Sequence, residues 1–195
     1  MKHTLDFYFY APGNRANRPV AVRSESDLER TLKAVLNNRQ PHPTQVTGRE
    51  LPTFGPAEIP TRLFKIDTSC TGEHAALHYA GPADPRTAAA VVEAWMLGAA
   101  TEDDQVFSEQ IYDLVRANVA SAAPSDTEPD DAAWVTRITD EAPQDVPTLY
   151  IDKANETEFP RDAIIPMPLL RLALLEFQVT GLRPECVQWQ PVDVY

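Results

Sequence analysis

The chain has 195 residues, enough to bury one sizeable core, and its 43% hydrophobic and 24% charged content is that of an ordinary soluble globular protein. A net charge of −12 argues against direct nucleic-acid binding, which needs a basic surface, and no apolar run approaches the roughly 18 residues of a membrane helix. With 18 prolines against 7 glycines, many loop entries are fixed and no glycine cluster is available to cradle a phosphate.

The start, MKHTLDFYFY, lacks the apolar core and cleavage site of a secretory signal, so a cytoplasmic location is expected. Residues 4–10 place Leu5, Phe7 and Phe9 on one side and Asp6, Tyr8 and Tyr10 on the other, which predicts a first strand. A long, partly basic loop leads to Val20 and Val22, one face of a second strand expected to close a hairpin with the first. Ser26 and Glu29 have capping-box spacing, and Leu28, Leu32, Val35 and Leu36 recur at helical spacing as far as Asn37. Residues 39–60 have no sustained period and carry Pro41, Pro43, Pro52, Pro56 and Pro60. They are expected to form a surface loop with extended pieces, either functional or hiding a strand. Residues 62–67 and 73–79 alternate again about a turn at 68–72, a second hairpin that Gly81, Pro82 and Pro85 end.

The composition shifts at residue 87 to a helix former's run that could bury Val91 and Trp95. Asp103 or Asp104 could cap a second helix carrying Phe107, Ile111, Leu114 and Val115 on one face. Residues 122–131 read as a proline-bearing acidic linker, and 134–138 as either a short strand or a helical turn. Within 101–145 there are 12 carboxylates and two cations, Arg116 and Arg137, so this segment holds ten of the twelve net negative charges. A strand is expected near 149–152, with a turn at 153–157.

The closing run, FPRDAIIPMPLLRLALLEFQVTGLRPECVQW, has an extended entry, because Ile165 precedes Pro166 and a residue before proline is pushed toward extended geometry. Pro168 suits the first helical position, and Leu170, Ala173, Leu174 and Phe177 then share a face, with Arg171 and Glu176 off that stripe. Gly181 is placed to close the helix in a left-handed conformation, and Pro184 prevents its continuation. Val187 and Trp189 then alternate with Cys186 and Gln188, which predicts a last strand with the first pair buried.

This ending, with FP, IP, a helix carrying ALLEF, and then TG-x-RP-x-x-V-x-W, resembles the Imm1 family of immunity proteins from bacterial polymorphic toxin systems. The likeness is clearest over 148–190, weaker over 5–36 and 63–82, and absent over 87–147. It implies a protein that neutralises a cognate toxin encoded beside it, often one of the deaminase superfamily. The expected architecture is a single α+β domain over 1–195. It has a mostly antiparallel sheet with two packed helices, and an acidic helical insertion at 87–147 interrupts it.

No catalytic residue, cofactor or metal site is expected. His74 and His78 lack the glutamate of a zinc hydrolase helix, and on a strand they would stand about 13 Å apart. Cys70 and Cys186 suggest two free buried thiols, and no serine sits in a nucleophile elbow. The acidic segment reads either as a solvated face with a flexible linker or as a phosphate mimic. In the second reading Glu102, Asp103, Asp104, Glu109, Asp126, Glu128, Asp130 and Asp131 would hold a toxin's basic cleft. An apolar anchor would come from Trp95, Phe107, Tyr112 or Trp134, with Trp134 counted among the partner-binding residues. The alternatives are a non-inhibitory adaptor or chaperone-like module for a secreted effector, and a small enzyme with a cryptic site around His74, His78 or Cys70.

Overall fold

The computed structural model describes residues 3–54, 56–82, 131–138 and 147–192. Alternation in the sequence is converted here into an antiparallel sheet with one face under two helices. In chain order the main strands are β1 (Leu5–Tyr8), β4 (Val20–Val22), β5 (Thr44–Gly48), β8 (Leu63–Thr68), β9 (His74–Pro82), β10 (Asp131–Arg137) and β14 (Gln188–Pro191). Short pieces lie between them: β2 (Tyr10–Ala11), β3 (Asn14–Arg15), β6 (Thr53–Phe54), β7 (Ile59–Pro60), β11 (Tyr150–Asp152), β12 (Thr157–Glu158) and β13 (Ile165–Pro166). The sheet order is β14-β10-β9-β8-β5-β1-β4, with β13 also paired to β9.

Register places one residue from each of six main strands in a single row. Val20 lies opposite Phe7, Phe7 opposite Val46, Val46 opposite Phe64, Phe64 opposite Tyr79, and Tyr79 opposite Trp134. Phe7, Val46, Phe64, Tyr79 and Trp134 are all buried to 1% exposure or less, so this row is the floor of the main core. The helix α1 (Glu25–Leu36) covers one end with Leu28, Leu32 and Val35, and α2 (Met167–Thr180) covers the centre with Leu170, Ala173, Leu174 and Phe177. Phe177 meets Phe64 edge-on at 4.7 Å, and Phe64 in turn meets Tyr79 at 5.1 Å between ring centres. The two helices are linked by an ion pair between Arg171 and Glu29. The Gln178 amide of α2 also donates to the Val22 carbonyl of the edge strand at 3.0 Å.

The other face of the sheet is covered at one end. Ala76 and Val135 pack there against Leu149, Ile151, Phe159, Ala163 and Ile164 from the segment after residue 147. Polar bonds pin that segment: Lys153 Nζ reaches buried Asp67 at 2.8 Å and the Gln40 carbonyl at 3.0 Å, while the Tyr150 N–H donates to Asp67 at 2.9 Å. Leu77 lies between the part of β9 paired with β10 and the part paired with β13. Its N–H is accepted by the Thr136 hydroxyl, which itself donates to the Ala163 carbonyl at 2.6 Å.

Several local expectations change. The capping box of α1 is formed by Ser24 and Asp27, not Ser26 and Glu29: Ser24 Oγ accepts from the Asp27 N–H, and Asp27 accepts from the Ser24 N–H. Of the expected loop at 39–60, residues Thr44–Gly48 form a central strand between β1 and β8, with Val46 fully buried. The expected insertion at 87–147 is not helical throughout, because Asp131–Arg137 is a strand of the main sheet; residues 83–130 and 139–146 lie outside the described residues. Cys70 is exposed in its turn, whereas Cys186 is buried, and both are free. Glu176 is buried within α2, where its carboxylate accepts the N–H groups of Glu185 and Cys186 and so ties the chain after the helix to it.

The rest holds. The two hairpins pair as expected, Pro168 lies in the first turn of α2, and Gly181 closes that helix at φ 67° with its N–H on the Phe177 carbonyl. Removing one ring from the floor should be costly: Phe64→Ala is expected to lower unfolding free energy by about 3–5 kcal/mol in urea titration. A loss below about 1 kcal/mol would show that the row is not what holds the sheet to α2.

Candidate partner-binding surface

The residues singled out for chemistry are not assembled into a site. His74 and His78 lie on one side of β9, four residues apart, and the pairing sets His78 opposite Lys65 and Val135 and His74 opposite Pro166. His78 is 4% exposed, neither ring nitrogen has a hydrogen-bond partner, and burial first, with Lys65 second, pushes its pKa down to about 4. A buried neutral ring beside a cation is a poor general base near neutrality and a poor place for a metal ion. Cys70 sits in the exposed turn between β8 and β9, and the Cys186 thiol is pushed well up by burial and then by Glu176 beside it. Among the described residues no group of three or more His, Cys, Asp or Glu side chains could hold a metal ion, and no helix is long and apolar enough to cross a membrane.

Of the residues expected to meet a partner, Glu102, Asp103, Asp104, Glu109, Asp126, Glu128 and Asp130 lie outside the described residues, as do Trp95, Phe107 and Tyr112. Asp131 opens β10, its backbone paired with that of Pro82. Trp134 is not available as an exposed anchor. It is 1% exposed, its ring lies 6.0 Å from that of Tyr79, and the Arg183 guanidinium covers it at 4.4 Å. Its position in a strand flanked on both sides by others is what the sequence did not reveal, since the five residues 134–138, weakly alternating, fit a helical turn equally well.

What the described surface does offer is of another kind. Two large hydrophobic side chains stand exposed, Val20 on the edge strand and Ile59 on the β6–β7 hairpin. The edge itself is short: β4 has three residues, Pro19 precedes it, and the N–H of Arg23 just beyond is taken by Asp27. Such an edge resists pairing with another chain.

A family model described as immunity protein Imm1 matches residues 16–191. The chain belongs to the Imm1 family. Membership makes it an immunity protein of toxin systems and implies a protein toxin as its partner. The matched residues include β10 and α2, so the strand that contradicts a wholly helical insertion falls within the Imm1 match. No curated protein and no solved structure matches the chain significantly.

The buried imidazole makes a stability prediction for this Imm1 protein. Above pH 6.5 the ring is neutral folded and unfolded, and His78 adds no pH dependence; between 6.5 and about 4 the unfolded chain binds a proton that the folded chain refuses. Stability should therefore fall as pH falls through that window, by about 2 kcal/mol between pH 7.5 and 5 on account of this residue. Denaturant titrations at the two pH values should show that difference shrinking in His78→Leu; an unchanged difference would mean that the ring is protonated in the folded protein.

Asp67 gives a second test. Asp67→Ala leaves Lys153 without its carboxylate partner and the Tyr150 N–H without an acceptor, and is expected to destabilise by about 3 kcal/mol. A double variant with Lys153→Met should recover part of that loss in the same thermal or urea assay.

Proposed function

We propose that this Imm1 protein neutralises a nucleic-acid-directed, deaminase-type toxin by direct stoichiometric binding in the cytoplasm, without chemistry of its own. The observation that carries the reading is the distribution of charge within an immunity protein. Among the described residues 15 carboxylates are nearly balanced by 14 Lys and Arg side chains, so almost all of the net −12 belongs to the rest of the sequence. A toxin that acts on nucleic acid carries a cleft built to attract phosphates. Carboxylates such as Glu102, Asp103, Asp104, Glu109, Asp126, Glu128, Asp130 and Asp131 offer that cleft the same sign of charge and the same bidentate partners for arginine. Two free cysteines accord with a reducing compartment.

The chain acts in this reading as one Imm1-like domain, supported by a single family match that runs from before α1 to the last strand. Residues 83–130, which carry most of the carboxylates of the acidic segment, lie between Pro82 and Asp131, adjacent ends of paired strands, so they can be carried without breaking the sheet.

Two experiments bear on this. Co-expression with the toxin domain of the adjacent gene should restore growth, whereas an adaptor would leave the cells to die. Neutralising Glu102, Asp103, Asp104, Asp130 and Asp131 together should slow association by roughly tenfold or more and flatten its salt dependence. An unchanged rate and salt slope would remove phosphate mimicry while leaving inhibition intact.

A further inference from the structure

Interface energy concentrates in a few apolar side chains that become fully desolvated, and an immunity protein needs such an anchor as well as charge. Trp134 is inside the core, which leaves Val20 at 36% exposure and Ile59 at 58% as the exposed large hydrophobics of the described residues. Val20 has a structural role, since it lies opposite Phe7 and extends the row beneath the helices. Ile59 has none. It sits on the β6–β7 hairpin, a two-stranded piece separate from the main sheet, in which residues 56–60 are all exposed.

An exposed isoleucine on a loose loop would bind poorly, because ordering the loop would consume the gain. This hairpin is closed at its base. Thr53 pairs with Pro60 and Phe54 with Ile59, and Thr61 closes the base by donating its N–H at 3.1 Å and its hydroxyl at 2.8 Å to the Pro52 carbonyl. Pro52, Pro56 and Pro60 fix further backbone angles, and Glu58 is held at φ 51°, a left-handed conformation that a residue with a side chain seldom adopts. Ile59 thus stands exposed on a hairpin closed at its base, with a carboxylate, Glu58, next to it. Nothing in the core depends on Ile59 being there.

We propose that the β6–β7 hairpin is the apolar anchor of the toxin interface, with Ile59 inserting into an apolar pocket on the toxin domain and Glu58 on the polar rim. This rests on the immunity reading and adds to it the contact that would hold the complex once charge has steered it together. The occupant is the toxin rather than a second copy of the chain. A tip of two-residue strands is far too small to supply the roughly 800 Å² per partner of a stable self-association, whereas it suffices as one hot spot within a larger interface.

The test uses the full chain and the catalytically inactivated toxin domain of the adjacent gene, with affinity read by titration calorimetry and protection read by growth. Ile59→Asp is expected to weaken binding by at least roughly 30-fold and Ile59→Ala by less, with melting temperatures unchanged and Ile59→Leu close to the wild type. Should Ile59→Asp and Ile59→Ala both bind as the wild type does, the hairpin is not the anchor, and the immunity reading stands. If the wild type itself neither binds nor protects, both ideas fall together.

Discussion

The edge-to-face contact between the Phe177 and Phe64 rings is the one on which the arrangement depends. Phe64 belongs to β8, in the middle of the sheet, and Phe177 to the helix that follows the last proline-rich turn, so the pair joins distant parts of the chain. On either side the row of opposed residues runs outward to Val46 and Phe7 and to Tyr79 and Trp134. Buried rings of this size contribute both apolar area and an edge-to-face term of about 0.5–1.5 kcal/mol, and they set strand register, because a slip by one residue would turn every ring to the opposite face.

Register in turn decides where the polar groups go. The residues that alternate with the floor include Asp6, Asp67 and His78, and each meets a different fate on the far face. Asp6 is held by a two-point contact from Arg49, at 3.0 and 2.6 Å, and Asp67 by Lys153 and the Tyr150 N–H. His78 has neither kind of partner and stays neutral. The first two draw the loop after β5 and the segment after residue 147 onto the sheet, while the third is expected to make the fold sensitive to acid.

An immunity protein that works by binding its toxin has two physical requirements: a rigid frame and a surface whose display the frame does not need for its own stability. The Imm1 chain separates them. Charge is nearly balanced within the described frame and strongly negative in the remaining sequence, and the exposed Ile59 side chain belongs to neither core cluster.

Much of the frame was legible from the chain alone, because its causes are local. Alternation in residues 5–9, 63–67 and 75–79, the apolar stripe of α2, and the glycine that ends it each follow from neighbours a few positions apart, and the closing motif led to the Imm1 family. Long-range packing decided the rest. Thr44–Gly48 became a central strand because β1 and β8 supply its partners from either side, although nothing in TQVTG announces it. Trp134 went inward for the same reason, since its strand is completed by β9 and β14 and its ring by Tyr79 and Arg183. Ser24 rather than Ser26 caps α1 because the turn from β4 fixes which hydroxyl can reach the first free N–H groups, and Glu176 is buried because the chain after Gly181 folds back over it. Periodicity reports which residues want to leave water, but only the tertiary structure determines what they find when they do.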